Sequence, residues 1–197
     1  MIKDVTLDAR TINTRSKIKR AVMVLLKNSS PEDIKVTKIT TLAKISRNSF
    51  YTHYSSVSDV IDDIFNEVVS IFGGIINKID IDDFIKNPYP YMKEMFAPIY
   101  ENSAFSEFIV FSKFSTIFMQ HLITSITDDF TKIYLQKRKE YAESMPYLIN
   151  FAVSGCFHFI YKWYKDGKPV PIEDILSQVS VLILNTALML SEVKTKI

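Results

Sequence analysis

Thr37-Lys38-Ile39-Thr40-Thr41-Leu42-Ala43-Lys44-Ile45-Ser46-Arg47-Asn48-Ser49-Phe50-Tyr51-Thr52-His53-Tyr54 is the stretch on which the fold turns. Ile39, Leu42 and Ala43 recur at i, i+3 and i+4, the spacing of one helix face, and Thr37 is a residue type that caps helix starts. Ile45-Ser46 interrupts the pattern, and a second helix begins. Ser46 can cap it, while Ile45 and Phe50 have the spacing of a hydrophobic staple across the cap. Phe50 and Tyr54, four residues apart, point to one side. Asn48 and Thr52 point to the other, with Arg47, Ser49, Tyr51 and His53 on the flanks. Two short helices joined by a three-residue turn and locked by apolar contacts form a helix-turn-helix.

Outward from this stretch the chain stays helical. Upstream, Ile18, Ala21, Val22, Leu25 and Leu26 give an amphipathic helix over 14–26, with Arg15, Lys17, Lys19 and Arg20 off the stripe. Pro31 follows its end. Downstream, Val57, Val60, Ile61, Ile64, Phe65, Val68, Val69 and Phe72 hold one stripe for four turns, up to Gly73-Gly74, a candidate end or kink. Asn87-Pro88-Tyr89-Pro90 breaks the chain again. Helical patterns follow at roughly 90–101, 104–112, 114–143, 146–165 and 172–192, the last two separated by the turn Asp166-Gly167-Lys168-Pro169. The expectation is an all-α fold of about nine helices: a helix-turn-helix domain over 1–56 and a second helical domain over 57–197.

Composition narrows the function. Four glycines in 197 residues are too few for an all-β fold, and no glycine-rich phosphate loop occurs. One cysteine, Cys156, excludes an intrachain disulfide, and three scattered histidines give no metal-ligand spacing. No cofactor or metal is expected. The N-terminus lacks the apolar core of a secretory signal, and no apolar run is long enough to span a bilayer, so a cytoplasmic protein without membrane contact is expected. Charge is divided unevenly: residues 1–54 carry 11 Lys/Arg against 4 Asp/Glu, whereas 55–197 carry 13 against 18. A basic head on an acidic body points to a polyanion partner for the head.

Double-stranded DNA is the polyanion that a helix-turn-helix suits, because the major groove admits one helix and its outer side chains reach base edges. Arg47 can donate two hydrogen bonds to guanine and Asn48 can pair with adenine. Thr52 can touch a thymine methyl or a phosphate. Thr37, Lys38, Ser49, Tyr51 and His53 complete the candidate DNA-binding set, mainly as phosphate contacts that orient without specifying sequence. The segment from Thr14 to Val60 resembles the DNA-binding domain of the TetR family of bacterial regulators. The resemblance rests on Thr14-Arg15, Ile18, Ala21, Leu25-Leu26, Val36-Thr37, Ile39, Ala43, the run Ser46 to Tyr54, and Asp59-Val60. It departs at two places, Lys44 and Val57, where the family usually has glycine and lysine. A left-handed backbone at Lys44 would cost about 1–2 kcal/mol.

Further along, Trp163 to Pro169, followed by Pro171-Ile172-Glu173-Asp174, looks like the last helix pair of a TetR subgroup common in low-GC Gram-positive bacteria. The resemblance implies a homodimer built on those two helices. The candidate interface is Phe151, Ser154, Gly155, His158, Val179, Leu182, Ile183 and Thr186, bound as a dimer to a pseudo-palindromic operator. Met92, Met95, Phe96, Phe108, Phe111, Phe118 and His121 fall in a methionine- and aromatic-rich middle, which reads either as core or as the lining of a cavity for a small apolar or amphipathic effector. No enzyme is expected, since the acidic pairs Asp62-Asp63, Asp82-Asp83 and Asp128-Asp129 diverge around a helix and no nucleophile–base set appears. The expected function is a transcriptional regulator, a repressor modulated by an effector. The alternative is a co-activator of the same fold that works through protein contacts.

Overall fold

The computed structural model describes residues 2–101, 103–112, 115–139 and 142–193, and only the backbone course at 2–8, 103–105, 111 and 187–193. Among the described residues there are ten α-helices and no strand: α1 Ile2–Leu26, α2 Val36–Ala43, α3 Arg47–His53, α4 Val57–Ile76, α5 Ile81–Lys86, α6 Pro88–Glu101, α7 Ser103–Phe111, α8 Ser115–Lys137, α9 Met145–Lys165 and α10 Ile172–Val193, with a 3-10 turn at Pro31–Asp33. The extra helix relative to the sequence reading is α5. It is one and a half turns long, too short for a periodic signal, and starts because the Asp80 carboxylate accepts from the Asp82 and Asp83 amides.

Three boundaries move. Helix α1 begins at Ile2, well before Thr14. Helix α4 runs straight through Gly73-Gly74, since two glycines lower helix propensity without forbidding the conformation. Helix α8 stops at Lys137 instead of near 143.

Packing divides the chain into two compact units: residues 1–68 with 103–118, and residues 69–102 with 119–197. In the first, Ile18, Val22, Leu26, Ile39, Phe50 and Val60 are fully buried and tie α1, α2, α3 and α4 together. Phe108 and Phe118 stack edge to face at 5.1 Å, and Phe118 meets Phe65 in the same way. In the second unit Phe157 on α9 sits between Phe72 and Phe96. The α9–α10 turn is closed by a Schellman motif: Lys168 N–H donates to Trp163 O and Gly167 N–H to Tyr164 O, with Gly167 at φ 80°. The Trp163 indole donates to Val170 O at 2.8 Å and Lys168 lies over the Tyr164 ring, which fixes the return of α10. No helix of the described residues is long and apolar enough to cross a membrane.

Candidate nucleic-acid interface

Helix α3 is held from below and left open above. Ser46 caps it, its Oγ accepting from the Ser49 amide at 3.0 Å, an interaction of about 1 kcal/mol. Phe50 is fully buried, edge-on to Tyr51 at 5.4 Å and close to Tyr54. With that side committed, Arg47, Asn48, Tyr51 and Thr52 stand exposed, and Ser49 and His53 are half-buried. The Thr52 hydroxyl donates to Asn48 O at 2.9 Å, leaving its methyl and an oxygen lone pair outward. Every candidate on α3 therefore lies on or beside one accessible face.

On α2 the expected cap is corrected. The cap lies two residues before Thr37: helix α2 starts at Val36, with Lys35 at the cap position and no side-chain cap bond. Thr37 is inside the first turn, where its carbonyl accepts from the Thr40 and Thr41 hydroxyls. Lys38 is exposed. The inward face is Ile39, Thr40 and Ala43, whereas Leu42 is 49% exposed and not a core residue. Leu42 instead lines an open cleft of about 460 Å³ with Leu25, Thr37, Lys38, Thr41 and Lys44.

The turn between α2 and α3 is a second Schellman closure. Ile45 N–H donates to Thr40 O at 3.0 Å and Lys44 N–H to Thr41 O at 3.3 Å. That geometry places Lys44 at φ 54°, ψ 49°, in the left-handed region that glycine favours. The turn keeps its shape at a cost of about 1–2 kcal/mol.

Behind α3 lies a charged network that the sequence did not reveal. The Tyr54 hydroxyl donates to Asp63 of α4 at 2.6 Å. Arg15 of α1 donates to the same carboxylate at 2.9 Å and lies over the Tyr54 ring, and Lys19 bridges Asp63 and Glu67. Burial alone would raise the Asp63 carboxyl. The Tyr54 hydroxyl, Lys19 and Arg15 outweigh it and hold the group below the usual carboxylate range. Burial, then Asp63, pushes the Tyr54 phenol well above its ordinary value. Helix α4 is anchored at its start by Ser56 and Asp59, whose carboxylate accepts from the Ser55 and Ser56 amides and from the Ser56 hydroxyl. Those bonds, the Ser56 hydroxyl first, lower the Asp59 pKa.

This network changes how the basic head is read. Arg15, Lys19 and Lys27 are engaged with Asp63, Glu67 and Glu107 inside their own unit. Among the described residues, Lys17, Arg20, Lys35, Lys38, Lys44 and Arg47 are exposed and have no ion pair. Of these, Lys38, Lys44 and Arg47 sit on the helix-turn-helix itself.

The other candidate sets are placed as follows. Met92, Met95 and Phe96 are buried in the second unit and Phe108 and Phe118 in the first. His121 is exposed, because it sits on the outer side of α8. The Phe111 side chain lies outside the described residues. On α9, Phe151 is 79% exposed, Ser154 and Gly155 are half-buried and His158 is exposed. Tyr147, missed from sequence, extends the same stripe and is equally exposed. A Cβ on Gly155 would meet nothing within 4 Å. On α10, Leu182 and Thr186 are exposed and Ile183 half-buried, but Val179 is buried against its own chain and belongs to the core. Cys156 is also buried, which pushes its thiol up to about 12 and keeps it protonated. Asp82 and Asp83 part, to Arg138 and to Tyr91.

Residues 86–185 match a family model described as the C-terminal region of a transcriptional regulator. Among solved structures, the chain is similar to the dihydroxyacetone kinase operon activator DhaS, at 18% identity and a TM-score of 0.59, over 89% of this chain and 97% of that one. It is also similar to a Clostridium perfringens protein described as a fatty acid metabolism regulator, at 14% identity and a TM-score of 0.60, over 86% and 97%. No curated protein matches the sequence significantly. At these identities the likeness is one of fold.

Proposed function

The chain belongs to the TetR family of transcriptional regulators, and from that premise we propose that it binds an operator through α2 and α3, within residues 1–56, as a homodimer joined along α9 and α10. The carrying observation is the outer face of α3, where Arg47, Asn48 and Thr52 stand exposed above a buried Phe50. Arg47 reads guanine, Asn48 adenine, and Thr37, Lys38, Ser49, Tyr51 and His53 hold phosphates. The exposed Tyr147, Phe151 and Leu182, with open space at Gly155, support the dimer, because an apolar stripe of this kind is costly to leave in water. A dimer seated on an operator excludes other proteins from that duplex, so repression is the output we assign. We assign the buried Met92, Met95 and Phe96 interior to a small apolar effector whose binding weakens DNA affinity.

Selection of duplexes from a random pool by the full-length protein tests this reading. A pseudo-palindrome with half-site centres about one helical turn apart, or a multiple of it, is the expected product. The co-activator reading draws on the strained Lys44. It requires the opposite result: a pool that never enriches, from a protein that binds every duplex weakly.

A further inference from the structure

Among the described residues two helices end in Schellman closures, and they differ in the residue that takes the left-handed C-terminal place. The α9 closure has glycine at its left-handed residue; the α2 closure has Lys44 at φ 54°. Lysine is a poor choice there on backbone grounds. The chain's other left-handed lysine, Lys168, has an evident use, since its ammonium sits 4.1 Å from the Tyr164 ring centroid. Among the described residues Lys44 has no ion pair, side-chain hydrogen bond or ring partner, and it is exposed. It shares its cleft with a second unpaired cation, Lys38, and with the Thr37 and Thr41 side chains. Its apolar lining comes from Leu25 and the half-exposed Leu42.

We propose that this cleft on α2 is a seat for the sugar–phosphate backbone of one DNA strand, with Lys38 and Lys44 holding phosphates at its two ends. The inference rests on the DNA-binding reading and adds a residue to it. When the second helix of a helix-turn-helix enters the major groove, the first crosses the backbone, which brings the strand to the outer side of α2. Lys38 and Lys44 are six residues apart, about 9 Å along the helix axis, so they meet different phosphates. Leu25 and Leu42 offer a surface against which deoxyribose carbons pack, and Thr37 offers its hydroxyl to the strand between the lysines, the Thr41 hydroxyl being already given to Thr37 O. Lys44 thus trades backbone comfort for a sequence-indifferent contact, as strained residues at binding sites do.

The trade gives the test two readouts of opposite sign. The wild-type protein, Lys44→Gly and Lys44→Arg are titrated against a fluorescent random-sequence duplex of about 30 base pairs across a salt series. Lys44→Gly is expected to melt about 2–4 °C higher, because the left-handed residue is relieved. It is also expected to flatten the salt slope by about two units, one for each Lys44 of the dimer, so that the affinity lost between about 50 and 200 mM salt shrinks roughly tenfold. Lys44→Arg keeps the wild-type slope. If Lys44→Gly melts higher but has the wild-type slope, the cleft holds no phosphate at Lys44 and the inference is overturned, as it is if the cleft serves a protein partner. If the wild type binds no duplex at all, the DNA-binding reading itself falls, a result that no Lys44 variant can mimic.

Discussion

The outer face of α3 and the outer face of α9 are both left uncovered by their own chain, but they are uncovered in different ways. On α3 the exposed groups are polar or cationic, and Phe50 beneath them completes a closed core. On α9 the exposed groups are Tyr147 and Phe151, large apolar side chains in line with Ser154, Gly155 and His158, while Phe157 and Ile160 face the interior. A polar face stays in water at little cost until a ligand of matching chemistry arrives. A face that exposes large apolar side chains in line is one that a second protein would cover to advantage. The contrast separates the two tasks assigned to the molecule, reversible contact with DNA and lasting contact with a second copy.

The contrast is broken most forcefully from below. Phe50→Ala removes a fully buried ring that seats α3 and is expected to destabilise the first unit by about 3–5 kcal/mol, read by denaturant unfolding. Phe151→Ala, of the same chemistry, should leave the unfolding of the isolated protomer within about 0.5 kcal/mol, since it removes an exposed side chain. If both variants unfold alike, the two faces are not distinct.

A smaller effect sharpens the α9 side. Phe151→Glu is expected to weaken self-association by about 2–4 kcal/mol in sedimentation equilibrium. Gly155→Leu should do the same without loss of helix, because a Cβ there meets nothing in its own protomer and leucine favours the helix. A dimer that survives both substitutions would move the interface elsewhere.

The smallest effect lies behind α3. Asp63 has a folded-state pKa below its unfolded value, so its contribution is complete above the unfolded carboxylate range and is lost as pH falls through the folded value. Asp63→Asn should therefore cost about 1–2 kcal/mol at neutral pH, discounted for its partial exposure, and the gap from wild type should close as pH drops below about 4. A gap that is independent of pH would mean that Asp63 acts through shape and not through charge.

How much of this was legible in the sequence depended on whether the signal was local. The helix-turn-helix was, because a cap, a staple and a three-residue turn are neighbours in sequence; Ser46 and Phe50 hold the places their spacing implies. The strain at Lys44 was legible too, once the turn was recognised. What spans distance was not. Arg15 and Lys19 read as part of a basic face, yet a carboxylate on α4 claims both, a pairing of residues 48 and 44 positions apart that no local pattern displays. Leu42 and Val179 changed sides for a related reason. Helical spacing says which residues share a stripe, but the neighbours decide which stripe turns inward. Helix α5 was missed because six residues are too few to establish a period.

The central claim is that the exposed face of α3 reads bases, and one measurement addresses it directly. Wild type and Arg47→Ala are titrated at a single salt concentration against the duplex recovered by selection and against its scrambled form. The account predicts that wild type prefers the recovered duplex by at least about a thousandfold. It predicts that Arg47→Ala loses about 1–3 kcal/mol on that duplex and almost nothing on the scrambled one. Equal, weak binding of both duplexes by wild type, with Arg47→Ala indistinguishable from it, would contradict the claim.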